Sequence, residues 1–333
     1  MNVAVIGMGL IGGSLLRALA AGGHWVIGWD LDPATRAMAR TAAAQAPKES
    51  RWQVSASIAD AVTTADLVVI ATPLTAVAHV LDEVAGAGFA GLVTDVVSVK
   101  EPVRELVARR LRGAGLRLAG YVGGHPMAGK ETAGFAATDP ALFHGCAWVL
   151  CLDQETSLDD WLALARLLTS LGARVVPATS EDHDHAVAAV SHVPHLLAVA
   201  LATAIGEPLA GTLAAGSFRD GTRVAGSAPE LIASMCGGNA GPVLDALDAV
   251  MGQLDDVRDA LESDDPIGAV RRWAGPAHTA RTNWPYGWGA PRQLPASPDH
   301  LLALSRDGGW ITAVSSDGRT VTAARPVPEG RPL

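Results

Sequence analysis

Short apolar runs and stretches of helical spacing alternate along the first half of the chain. Residues 3–6, Trp25–Trp29, 67–71, 91–94, 118–122, 147–152 and 173–177 read as strands. Apolar positions spaced for helices cover Leu10–Ala21, 76–84, 101–112 and 158–171. Strands that alternate with helices predict a parallel sheet with helices on both faces. The pattern changes at Thr179. From Ser180 to Trp273 nearly every apolar residue recurs at helical spacing, with Pro208, Pro229 and Pro242 near helix starts. Three segments follow: 1–179, α/β; 180–280, all-α; and 281–333, a short irregular or β tail. In the tail, 311–314 and 320–323 are expected to pair as a hairpin around Ser316-Asp317-Gly318. No role is assigned to it.

Gly7-Met8-Gly9-Leu10-Ile11-Gly12 is a G-x-G-x-x-G that leaves the first strand and opens the first helix. In that context the first glycine permits the tight turn, the second lets backbone approach a pyrophosphate, and the third lets helix pack on strand. Free N–H groups at the helix start then favour phosphate. Asp30 ends the second strand, 18 positions after Gly12, where a carboxylate accepts the ribose hydroxyls and repels a 2′-phosphate. The first segment is therefore expected to be a Rossmann-type domain that binds NAD. Arg36 is the nearby residue that could favour NADP. Thr72 and Pro73 follow the fourth strand, and Asp95-Val96-Val97-Ser98 follows the fifth. Both lie where an open α/β sheet places its ligands.

Charge narrows the partners. With 34 acidic and 25 basic residues the net charge is −9, and no basic run exceeds Arg109-Arg110, which excludes a nucleic-acid partner. The three cysteines form no paired framework, which fits a reducing cytoplasm. The longest apolar stretch, 186–205, holds His192, Pro194 and His195, and reads as a buried helix of a soluble protein with no membrane span.

Three clusters could carry chemistry. Gly123-Gly124-His125-Pro126-Met127-Ala128-Gly129 reads as a constrained loop after the sixth strand. Its histidine, of a type that titrates near neutral pH, can take a proton from a hydroxyl. Asp182-His183-Asp184-His185 and Ser191-His192-Val193-Pro194-His195 begin the helical segment. On one continuous helix Asp184 and His195 share a face, whereas His183 and His185 read as solvated helix-start residues. A metal is not expected. Arg219 and Arg223 in Gly216–Ala225 stand four apart and read as helical neighbours, with Arg219 structural and Arg223 binding a substrate carboxylate.

Gly7–Ser14, Ser98-Val99-Lys100, Gly123–Gly129, Ser191–His195 and Gly216–Ala225 together resemble the prephenate dehydrogenase family, over roughly residues 1–280. The resemblance implies a nucleotide-binding domain followed by a helical domain that forms a homodimer. It implies oxidative decarboxylation of prephenate by NAD, or the same reaction on arogenate, in tyrosine biosynthesis. On that resemblance His125 bonds the ring hydroxyl, and Ser98 helps orient the hydroxyl, His125 and nicotinamide. Arg223 binds a substrate carboxylate, and His195, His192 and Asp184 line the side-chain pocket. Lys130 departs from the small hydroxyl residue common after this glycine-rich segment. Two other readings fit less well. A 6-phosphogluconate-type dehydrogenase uses a helical-domain lysine, and 180–273 contains none. A non-enzymatic NAD-sensing regulator leaves His125, His195 and Arg223 without a role.

Overall fold

The structure is a computed structural model that describes residues 1–113, 120–130, 132–284 and 287–327. The chain divides into two compact units. The first is Met1–His183 with Pro291–Ala324, and the second is Asp184–Ala290 with the described residues from Arg325.

In the first unit, β1 (Asn2–Ile6), β2 (Trp25–Trp29), β3 (Gln53–Val54), β4 (Leu67–Ile70), β5 (Leu92–Asp95) and β6 (Tyr121–Val122) form one parallel sheet. The order is β3-β2-β1-β4-β5-β6, that of a dinucleotide-binding doubly wound fold. Strand alternation explains its two cores. Val3 and Val5 enter one apolar cluster with Leu16 and Leu19 of α1 (Leu10–Ala21), and Ala4 and Ile6 enter the other. Helices α2 (Pro33–Gln45), α3 (Ile58–Val62), α4 (Leu74–Gly86) and α5 (Glu101–Gly113) complete the layers. Asp32 caps α2 by accepting from Ala34 N and Thr35 N, with Pro33 at the first helical position. Of the strand expected at 118–122, residues 118 and 119 lie outside the described residues.

A second sheet runs in the order β11-β13-β12-β9-β8-β7. Its strands are β7 (Gly124–Pro126), β8 (Ala147–Cys151) and β9 (Arg174–Ala178), with α6 (Leu158–Ser170) between the last two. From the far end of the sequence come β11 (Arg292–Pro295), α14 (Pro298–Arg306), β12 (Trp310–Val314) and β13 (Thr320–Ala324). The hairpin of β12 and β13 is present, but it is no separate tail. Ile311 pairs with Val175 of β9, and Leu301, Leu304, Ile311 and Val321 are each at most 1% exposed in the shared core. Strands this short carry little local signal, and α14, which the sequence reading did not foresee, has few apolar positions. Burial of those few against β9 and α6 is what the linear pattern does not report.

The second unit is helical: α7 (Ser180–Val187, from Asp184 on), α8 (Val193–Ala202), α9 (Pro208–Leu213), α10 (Gly216–Thr222), α11 (Pro229–Ile232), α12 (Ala240–Glu262) and α13 (Pro266–Thr282). The short strands β10 (Gly287–Trp288) and β14 (Pro326–Val327) pair antiparallel. Its core is small: Ala188, Val193 and Val243 with a few half-buried neighbours. The stretch 180–206 is long and apolar enough to cross a membrane by length and composition, yet only 22% of an 18-residue apolar span within it is buried in the chain. The expected buried helix is therefore largely uncovered in the single chain, with Val199, Leu201 and Ile205 exposed.

Candidate active site

The glycine turn has the shape its spacing predicts. Gly7 has φ +98°, and a Cβ there would lie 2.4 Å from Ala71 O. A Cβ on Gly12 would lie 2.0 Å from Gly7 O, so helix and strand touch through these glycines. Gly9 differs: a Cβ there meets nothing within 4 Å. Gly9 is the N-cap of α1 and supplies no side-chain cap, so Leu10 and Ile11 begin the helix with N–H groups open to phosphate. Asp30 Oδ2 accepts from Met8 N at 2.6 Å, and Oδ1 accepts from Asp32 N at 2.9 Å. These bonds fix the carboxylate beside the turn and leave lone pairs for a ribose. Arg36 donates to the carbonyls of Asp30 and Leu31. Thr72 Oγ1 is buried without a hydrogen-bond partner among the described residues, and Pro73 caps α4. An open glycine, an uncapped helix start and an unsatisfied hydroxyl at the strand ends fit NAD.

Gly9→Ala separates folding from cofactor binding. The added methyl meets no protein atom, so the melting temperature should change by no more than about 2 °C. Affinity for NAD⁺ should fall about tenfold or more, or about 1.4 kcal/mol. Unchanged affinity by titration calorimetry would remove Gly9 from the phosphate site.

His125 lies on an edge strand, not in a loop. β7 pairs antiparallel with β8, with His125 opposite Val149, and a Cβ on the preceding Gly124 would lie 2.7 Å from Asp95 O at the end of β5. His125 is half-buried, and its Nδ1 lies 2.9 Å from Nε2 of His183, ring edge to ring. His183 is only 2% exposed, which corrects the expectation of a solvated residue. Its burial follows from how α7 starts. Asp153, after β8, accepts from Ser180 N at 2.8 Å and from Ser180 Oγ at 2.7 Å, and His183 lies one turn further on. Helical spacing alone gave no sign of this, although a Ser at the helix start was the available cue. Ser98 is half-buried in the turn between β5 and α5. Behind β7, Asp95, Lys100 and Tyr121 form a buried cluster; Asp95, expected in the ligand-facing turn, is instead the fully buried last residue of β5. Lys130 pairs with Asp139 at 3.0 Å. A backbone N–H from Ala141 and then this lysine hold the Asp139 carboxyl below its usual range.

In the second unit a π turn, Ala188–His192, separates α7 from α8. A π turn rotates less per residue than an α turn, so Asp184 and His195 do not share one continuous helical face as expected. His192 is fully buried and Asp184 nearly so. Asn239, also buried and not foreseen, gathers them: its Nδ2 donates to Asp184 O at 2.7 Å and lies 3.2 Å from His192 Nδ1. His195 is half-buried, and its Nδ1 donates to Ser191 O at 2.8 Å, which leaves Nε2 as the acceptor when the ring is neutral. Arg219 and Arg223 are not on one helix. α10 ends at Thr222, whose Oγ1 donates back to Phe218 O at 2.6 Å, and Arg223 opens a 3₁₀ turn. Arg219 lies 3.7 Å from Asp220 in an exposed pair, and Arg223 is exposed in the single chain.

Known proteins share the family features and the fold of this chain. Residues 15–177 match the family description "Prephenate dehydrogenase, nucleotide-binding domain", and residues 179–271 match "Prephenate dehydrogenase, dimerization domain". The prephenate dehydrogenase of Bacillus subtilis is 32% identical over 81% of this chain and 72% of its own length. A Zymomonas mobilis cyclohexadienyl dehydrogenase is 32% identical over 79% of this chain and 89% of its own. The structure of Synechocystis arogenate dehydrogenase superposes with a TM-score of 0.72 at 28% identity, over 85% of this chain and all of that one. With a nucleotide-binding sheet and two family matches that together span most of its length, the chain belongs to the prephenate dehydrogenase family.

Proposed function

We propose that this chain oxidises and decarboxylates prephenate to 4-hydroxyphenylpyruvate with NAD⁺, in tyrosine biosynthesis, and that His125 is the base. The observation that carries the assignment of the base is the 2.9 Å contact of His125 Nδ1 with the buried His183. When His183 Nε2 accepts this bond, neutral His125 keeps its proton on Nδ1, and Nε2 is its basic nitrogen. NAD⁺, when bound, accepts hydride from the ring carbon that bears the hydroxyl. His125 Nε2 takes the hydroxyl proton as the carbonyl forms. The ring carboxylate then leaves as CO₂, and its bonding pair flows through the ring to the oxygen. The resulting phenolate takes the proton back from His125. Ser98 orients the hydroxyl and His125.

Arg223 holds a substrate carboxylate, for which a guanidinium offers two parallel donors. His195, through Nε2, lines the substrate's side-chain pocket with His192 and Asp184. Arg223→Ala should raise KM for prephenate about tenfold or more and change kcat little. An unchanged KM in steady-state kinetics would remove Arg223 from the binding site.

Arogenate is the second reading, favoured by the likeness to the Synechocystis arogenate dehydrogenase. NADH formation measured with each substrate tests both. Turnover confined to arogenate would overturn prephenate as substrate, and turnover of neither would overturn the reaction. The match to a dimerization domain and the exposed Val199, Leu201, Ile205, Leu209 and Leu213 support a homodimer built through the helical unit. A cytoplasmic location fits the reaction.

A further inference from the structure

We propose that Asp95, Lys100 and Tyr121 are positioning residues that hold the His125 strand in register by clamping both backbone groups of Gly124. The inference rests on the reading of His125 as the base. β7 is an edge strand with one partner, β8. Gly123 O accepts from Cys151 N at 2.8 Å, and Met127 N donates to Ala147 O at 2.8 Å, so the odd-numbered residues turn toward β8. Gly124 is off that alternation, and its N–H and C=O face away from β8.

Charged side chains take the place of a neighbouring strand there. Lys100 Nζ donates to Gly124 O at 2.7 Å and to Asp95 Oδ1. Asp95 Oδ2 accepts from Gly124 N at 3.4 Å and from Tyr121 OH at 2.7 Å, and Oδ1 accepts from Val97 N at 2.8 Å. Both members of the ion pair have 0% side-chain exposure. Glycine is needed at 124, because a Cβ would lie 2.7 Å from Asp95 O. Burial and then the charge of Asp95 push the Tyr121 hydroxyl well above its usual range, so it remains a donor. An apolar trio of similar volume would stabilise a core at least as well, since the desolvation of a buried pair offsets much of its attraction. What the apolar trio could not do is supply a donor and an acceptor to one residue of an unpaired strand edge, the residue that precedes His125. An edge strand without such a clamp is free to shift or fray.

Lys100→Met removes the ammonium and keeps the chain length. The expected result is a fall in kcat of about tenfold or more, affinity for NAD⁺ within about twofold of wild type, and a displaced acid limb in the pH profile of kcat/KM. A role in stability alone would lower the melting temperature and leave that limb in place. If Lys100→Met does not fold, Tyr121→Phe, which removes one hydroxyl and keeps both charges, decides: it should lower kcat several-fold with the same displaced limb. A folded variant with wild-type kcat and an unmoved limb overturns the clamp. His125→Asn assayed alongside separates the two ideas. Full turnover in His125→Asn would overturn the base itself, whereas an inactive His125→Asn beside fully active clamp variants would overturn the clamp alone.

Discussion

His125→Asn should lower kcat by about 10²–10⁴-fold, the usual contribution of a positioned general base, with KM for prephenate and for NAD⁺ within about threefold of wild type. Asparagine is nearly the same size and can still bond His183 and the substrate hydroxyl, but it takes no proton at neutral pH. The loss is therefore one of proton transfer and not of binding. The environment argues for a large effect. Nδ1 is held at 2.9 Å by a residue that is only 2% exposed, so the ring is oriented before substrate arrives. A loss of less than about tenfold would mean that another group accepts the proton.

A chain ended after Ala290 should lose the cooperative folding of the first unit. The deletion removes Leu301, Leu304, Trp310, Ile311 and Val321, each at most 6% exposed. At roughly 1.5–3 kcal/mol per buried side chain, the loss is on the order of 10 kcal/mol. That compares with a net stability of about 5–15 kcal/mol for a whole protein. It also strips β9 of its partner β12 and leaves an open apolar edge. Thermal unfolding followed by circular dichroism should show no sharp transition, or the protein should be insoluble. A melting temperature within about 3 °C of the full chain would mean that the C-terminal strands only decorate the core.

The nucleotide-binding sheet was legible because its strands are apolar runs and its first turn is written in glycines, whose spacing reflects the close approaches at Gly7 and Gly12. The proposed base was legible as a candidate because one histidine stands between constrained residues after a strand of that sheet. Its partner was not. His183 sits in a charged run, Asp182-His183-Asp184-His185, whose local pattern says solvent. Only the anchoring of Ser180 by Asp153, distant in sequence, turns that residue inward. The clamp was missed for a similar reason. Asp95 and Lys100 are five apart, but the group they serve, Gly124, lies in another sheet. Helical periodicity also failed at the π turn before α8 and at Thr222, where a side-chain bond to the preceding turn ends a helix that apolar spacing would continue.

The pH dependence of kcat/KM, measured on wild type and His125→Asn with prephenate and NAD⁺, tests most directly whether this imidazole takes the hydroxyl proton. Wild-type activity should fall on the acid side as the imidazole becomes protonated and can no longer accept, whereas the residual activity of the variant should be flat through the same range. An acid limb that persists unchanged in His125→Asn would place the proton acceptor on another residue.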